Sequence, residues 1–331
     1  MIEHKNKIGL IQIIAALLIV NHHTSFLEIP YVRHLTKGGF VVNMIFVYLS
    51  GYLLAKSYSN NVNIDCYTFL KRRFIRIYPS LHISIVLIFI IYFFIGIEIS
   101  YHNIILSLTG FQYFFGITSF GPQFWFVSII LACYILCIPT IHFLNSKPNY
   151  FYISLSLLII LILALREESL YGIYTKVNDD CIYRFIFHYI IFSIGLHISI
   201  MKKDVEIFAF KPALFIFFTA LSIYIVATIN QFFDIIKILA DVMMAFSLIT
   251  LISSSYNFFI KKLPALFVLS SITYEIYLIH VAVIYLFNFI APQKLYSYPL
   301  VFVVSIIIAF IISKLSAYYL QYMEKLLAKT D

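Results

Sequence analysis

Ten mostly apolar runs, each close to the length a helix needs to cross a bilayer, follow one another along the chain and leave little room for anything else. About 20 residues rising 1.5 Å each span a hydrocarbon core roughly 30 Å thick. The runs lie near Ile8–Leu27, Gly39–Ala55, Ser80–Gly96, Phe124–Leu144, Tyr150–Leu165, Tyr183–Met201, Pro212–Ile229, Ile235–Ser253, Ala265–Ile290 and Pro299–Tyr319. An eleventh stretch, Ile104–Phe115, is too short to cross and too apolar for a free loop, so it is either re-entrant or interfacial. The expected fold is an all-α, polytopic integral membrane helix bundle of about ten transmembrane helices, forming one domain over residues 1–331.

Composition excludes the soluble alternative. Hydrophobic residues make up 62% of the chain and charged ones 11%, with a mean hydropathy of +0.96, against roughly 45–50% and about 25% in an ordinary soluble domain. A soluble fold of this size needs a polar skin that 23 Lys and Arg with 15 Asp and Glu would hardly supply. The net charge of +8 is better matched to orientation in the membrane and to anionic lipid heads than to nucleic acid. Cys66, Cys133, Cys137 and Cys181 show neither a CxxC pair nor metal spacing. The first run is followed by His22, His23 and Thr24, where a cleaved signal would carry small residues, and it reads as an uncleaved span.

Basic residues set the orientation, because loops rich in Lys and Arg stay cytoplasmic. Alternating loops collect fifteen Lys and Arg on the side of the N-terminus, from Lys5 and Lys7 to Lys325 and Lys329. Seven fall on the other side: Arg33, Lys37, Arg166, Lys176, Arg184, Lys237 and Lys294. Both termini are therefore expected in the cytoplasm, with the protein multi-pass in the cell membrane. The acidic Arg166–Arg184 loop, with Glu167, Glu168, Asp179 and Asp180, then faces outward.

Polar and ionisable groups within spans are costly and mark function more often than in soluble cores. They are Gln12, Asn21, His22 and His23 in the first span, His188 and His197 in the sixth, Asp241 in the eighth, and Glu275 and His280 in the ninth, Gln12 and Asn21 being merely polar. Histidine suits a general base for a hydroxyl; each of these is equally a candidate for a hydrogen bond between helices. A basic run, Lys71-Arg72-Arg73-Phe74-Ile75-Arg76-Ile77-Tyr78-Pro79, precedes the third span on the cytoplasmic side. If the run is helical, Arg73 and Arg76 share a face and suit a phosphate-bearing ligand. On spacing alone, a positive-inside anchor is the better explanation of the run.

Five blocks in order carry a resemblance. Gln12 to His23, the Phe46–Leu53 block with Ser50-Gly51-Tyr52, Arg73-x-x-Arg76-x-x-Pro79, Phe124-Trp125-Phe126-Val127-Ser128 with Tyr134 and Pro139, and Thr273-Tyr274-Glu275-Ile276-Tyr277-Leu278-Ile279-His280 are present. Together they resemble the membrane acyltransferase-3 family. The resemblance implies transfer of an acyl group, most often acetyl, from cytoplasmic acyl-CoA (acetyl-CoA) to a hydroxyl of a carbohydrate on the outer side. It implies that His23 is the general base, that Glu275 is a candidate to orient a histidine, and that Arg73 and Arg76 face the CoA phosphates. Ser50, Gly51, Trp125, Ser128 and Tyr277 would shape the passage for the pantetheine arm, with Ser50 or Ser128 a donor to the oxyanion.

Gln12 departs from the pattern, since the family carries Arg or Lys eleven residues before its His. Gln keeps hydrogen-bonding capacity and loses the fixed charge, so a role in holding phosphate or tuning His23 must be met differently or be absent. His22 beside His23 leaves the register of the base open. Acceptor recognition is expected from the outward loops Glu98–Gln123 and Arg166–Tyr183. No metal is expected, because no two histidines stand at i, i+4 spacing. Two other functions remain open at this point: a flippase or exporter of a lipid-linked sugar, and a non-catalytic scaffold in polysaccharide assembly.

Overall fold

The computed structural model of the protein describes residues 2–24, 39–59, 65–117, 120–157, 178–201, 204–229, 234–259, 265–290 and 297–327. The long helices are α1 (Ile2–Thr24), α2 (Gly39–Ser59), α3 (Cys66–Ile95), α5 (Trp125–Ser146), α6 (Asn178–Ile200), α7 (Phe210–Ile229), α8 (Asp234–Phe259), α10 (Thr273–Ile290) and α11 (Ser297–Leu327). Two short ones join them, α4 (Tyr101–Leu108) and α9 (Ala265–Ser271). No strand occurs among the described residues.

Eight helical segments are long and apolar enough to cross a membrane, covering the first to fourth, seventh, eighth, ninth and tenth of the expected runs. The sixth, Arg184–Ile200, is apolar but shorter. The fifth is helical as far as residue 157 and beyond that lies outside the described residues. Also outside them are Arg33, Lys37, Arg166, Glu167, Glu168, Lys176, Lys202, Lys203, Lys261, Lys262, Lys294 and Lys329. The half-length stretch near Ile104–Phe115 is α4 followed by a 3-10 turn, Gln112–Phe115, that ends at Gly116 with φ 75°. Glycine adopts that left-handed backbone without a Cβ penalty, so the chain turns there instead of crossing.

Two features differ from a plain series of spans. The basic run is one helix with the third span: α3 is 30 residues long with Pro79 inside it, about 45 Å at 1.5 Å per residue. That exceeds the hydrocarbon core, so α3 carries Arg73 and Arg76 into its polar half. The ninth span is broken at Ile272 between α9 and α10. Thr273 Oγ1 caps the break by donating to the Ser270 carbonyl at 3.2 Å.

At the start of α3, the Thr68 amide donates to Asp65 Oδ1 at 2.8 Å, an N-cap. This bond holds the Asp65 carboxyl below the usual carboxylate range. A depressed carboxyl stabilises above its unfolded pKa and loses that contribution as pH falls through the folded one. Protection of the Thr68 amide in hydrogen exchange is therefore expected to fall on acidification, and to be low at every pH in Asp65→Ala. Equal protection in both proteins would remove the cap from this account.

The chain forms two compact units, each built from separated segments. The first holds residues 1–46, 74–100 and 204–331. Within it α1 packs on α8, α9, α10 and α11. The buried stripe Ile8, Ile11, Ala15 and Ile19 repeats at helical spacing. Gly9 lets α1 approach α9, since a Cβ there would come 3.1 Å from Ser270. At one end Lys7 pairs with Glu206 at 3.3 Å, Ser253 donates to the same carboxylate, and Asn6 donates to the Tyr256 hydroxyl at 2.8 Å. These three segments were all expected on one membrane side, and they meet. By contrast, α7 turns Phe215 and Phe218 outward, 72% and 57% exposed, as a lipid-facing helix should.

The second unit holds residues 47–73 and 101–203. In it α2 and α6 cross backbone to backbone. A Cβ on Gly51 would lie 2.1 Å from the Phe192 carbonyl oxygen, and one on Gly195 would lie 2.3 Å from that of Tyr48. Small residues at both helices are what permit such an approach.

Candidate active site

Of the residues singled out in the sequence, the first unit contains Gln12, His23, Arg76, Glu275 and Tyr277, and the second contains Ser50, Arg73, Trp125 and Ser128.

In the first unit, His22 and His23 occupy the last turn of α1 and diverge. A Cβ on Gly39, the first residue of α2, would meet the His22 ring at 2.5 Å, so His22 is packed over that glycine. His23 is exposed, and its ring lies 5.0 Å, centroid to centroid, from that of His280 on α10. The structure thus distinguishes the two adjacent histidines, whose register the sequence left open. His280 is fully buried and its Nδ1 is 2.7 Å from the Tyr277 carbonyl. Tyr277 is buried too, with its ring 5.6 Å from His280 and 6.4 Å from Phe46. Gln12 is half-buried on α1. Eleven residues are close to three full turns, so it shares a face with His23, roughly 16 Å along the axis.

Glu275 lies in the first turn of α10 and is buried. Its Oε1 accepts from Ser80 Oγ at 2.8 Å, and Ser80 is 3.0 Å from Ser316. With the Ser80 proton committed to the carboxylate, Ser316 is the donor of the second bond. Arg76, one turn before Ser80 on α3, is within electrostatic reach of Glu275. Glu275 Oε2 is buried without a hydrogen-bond partner. The imidazole beside His23 is His280, whereas the group on Glu275 is a serine.

The basic run is helical, as the shared face of Arg73 and Arg76 required, with Arg73 in the second unit and Arg76 in the first. Arg76 is exposed and Arg73 half-buried. Arg73 Nη2 donates to Ser57 Oγ at 2.8 Å, and the guanidinium lies 5.3 Å over the Phe69 ring. These contacts fix the plane of the fork. Trp125 opens α5 and is half-buried. The Arg184 guanidinium is 5.5 Å from its ring centroid and His188 presents a ring edge-on, also at 5.5 Å. Ser128 is fully buried, accepts from the Tyr113 amide at 3.4 Å and donates to the Phe124 carbonyl at 3.5 Å. Its hydroxyl fastens the 3-10 turn to α5. Ser50 is half-buried on α2, beside the Gly51 crossing.

Sequence reasoning missed Ser57, Ser80, Gly39 and Gly195, which act only through their neighbours. A small residue inside an apolar run was the sole signal for Gly195. Among the described residues, no group of three or more His, Cys, Asp and Glu side chains could hold a metal ion.

A family model described as an acyltransferase domain matches residues 5–314, nearly the whole chain. The chain belongs to the acyltransferase-3 family, and the resemblance seen in its five motif blocks is borne out. It is a multi-pass membrane protein of acyltransferase type. No curated protein and no solved structure matched it.

Proposed function

We propose that the protein transfers an acyl group, acetyl first among candidates, from cytoplasmic acyl-CoA to a hydroxyl of a carbohydrate at the outer face of the cell membrane, with His23 as general base. The observation that carries this reading is an exposed imidazole at the end of a membrane span, backed by a buried one, in a chain of the acyltransferase-3 family. His23 takes the acceptor hydroxyl proton as its oxygen attacks the thioester carbonyl. The tetrahedral intermediate collapses by breaking the C–S bond, and the proton passes to the CoA thiolate. Arg73 and Arg76 bind CoA phosphates from the polar half of α3, where Ser57 and Phe69 preorganise the Arg73 fork. Gln12 contributes hydrogen bonds without charge. Acceptor recognition falls to the outward segments, which include the 3-10 turn at Gln112–Phe115.

The test is transfer from labelled acetyl-CoA to the host's surface polysaccharide in membranes containing the protein. Label in the glycan supports the reading; none, with intact protein and several acyl-CoAs tried, overturns it. Arg73→Ala and Arg76→Ala are expected to raise the acyl-CoA KM about tenfold or more each, the worth of a charge-assisted phosphate contact, and to leave the acceptor KM unchanged. An unchanged donor KM in both would remove the arginines from the donor site.

The break at Ile272 favours a second reading, since discontinuous helices line the sites of many transporters. A lipid-linked sugar exporter would move its cargo without consuming acyl-CoA, so CoA release in the same assay separates the two.

A further inference from the structure

His280 has a hydrogen-bonding position that nothing in the described structure fills. A carbonyl only accepts, so the 2.7 Å contact to Tyr277 O places the ring proton on Nδ1 and leaves Nε2 a bare acceptor. That Nε2 is buried and has no hydrogen-bond partner. A buried acceptor without a donor is disfavoured, and more so inside a membrane. The exposed ring beside it belongs to His23, 5.0 Å away between centroids and tilted 49°. Two imidazoles joined by an N–H···N bond of about 2.9 Å also stand about 5 Å apart between centroids. The separation between the two rings suits such a bond.

We propose that His280 is a positioning residue for His23, its Nε2 accepting the N–H on the near side of the His23 ring. The proposal rests on the reading of His23 as base. The bond holds His23 in the tautomer whose other nitrogen is unprotonated and faces the acceptor. When that nitrogen takes the hydroxyl proton, His23 becomes an imidazolium that keeps donating to His280 until the proton leaves on the CoA thiolate. His280 itself neither gains nor loses a proton. Its orientation is set locally: Tyr277, three residues earlier on α10, supplies the carbonyl that fixes Nδ1, and the Tyr277 ring packs 5.6 Å away. Glu275, the carboxylate that the sequence offered for this role, is engaged with Ser80.

The experiment compares wild type, His280→Leu, His280→Gln, His23→Ala and the double variant of His23→Ala with His280→Leu, in full-length protein in membranes. Gln reaches the Nε2 position with an oxygen acceptor; Leu does not. Where His280→Leu fails to insert, His280→Asn replaces it, since Asn reaches only the Nδ1 position and must behave like Leu. The first readout is carbethoxylation of His23 by diethylpyrocarbonate, followed by peptide mass spectrometry with exposed His102 as internal reference. It depends on no substrate. Losing the tautomer lock in His280→Leu is expected to slow His23 modification several-fold, about 3- to 10-fold, with His280→Gln near wild type. The second readout is transfer, where His280→Leu is expected to lower kcat about 10- to 100-fold with both KM values unchanged, and to add nothing in the His23→Ala background.

Equal His23 modification in wild type and His280→Leu, or equal kcat losses in both His23 backgrounds, overturns the proposal. If no variant transfers acyl groups but His23 modification still falls in Leu and not in Gln, the acyltransfer reading has failed and the histidine pair stands. If wild type transfers and modification is unchanged, the pair has failed and the reading stands.

Discussion

Membranes carrying His23→Ala are expected to transfer acyl groups about 10²- to 10⁴-fold more slowly than wild type, the usual worth of a positioned general base. The loss should be in turnover, with inserted protein at wild-type level, because an exposed side chain contributes little to the fold. His22 cannot substitute, since its ring is packed over Gly39 at the start of α2. Shifting it toward the acceptor would open that contact. Single-turnover transfer of labelled acetyl groups is the measurement. Transfer within a few-fold of wild type would place the base elsewhere and make the scaffold reading the stronger one.

Gly51→Val is expected to have the largest effect on stability. Its Cβ would sit 2.1 Å from the Phe192 carbonyl oxygen and 3.0 Å from the carbonyl carbon, and backbone cannot move aside as a flexible side chain does. α2 and α6 must separate, at a cost of about 3 kcal/mol or more for overpacking at a rigid crossing. That is more than a hundredfold shift in the folded-to-unfolded ratio. Gly195→Val strikes the Tyr48 and Tyr52 backbone of the same crossing, so the two together should cost less than their sum. Thermal stability in detergent, followed by size-exclusion recovery, reads both. A Gly51→Val protein as stable as wild type but inactive would give Gly51 to the acyl passage that the family resemblance implies, and would remove the crossing as its reason.

Some of this was legible in one dimension. The membrane class, the helix count to within the described residues, and the half-length stretch before Gln112 all follow from the length of apolar runs, a local property. The sharing of a face by Arg73 and Arg76 needed only the run to be helical, and it is. The break at Ile272 was not legible, because Leu269 to Ile276 offers neither Pro nor Gly to announce it. Nor was the contact of Glu275 with Ser80, because the two lie far apart in the chain and no local pattern joins them.

What the sequence determined by itself was which segments leave water and which few polar residues enter the membrane with them. Lipid rewards any apolar surface equally, so hydropathy fixes the spans but not the rotation of each helix or the neighbour it meets. Only the tertiary structure decided that His23 faces His280 while His22 lies on Gly39, that Ser57 holds Arg73, that Ser80 takes Glu275, and that Gly51 and Gly195 mark one crossing. Those choices rest on side-chain shape and hydrogen bonding between segments far apart in the chain, where close approach and donor geometry select the partner.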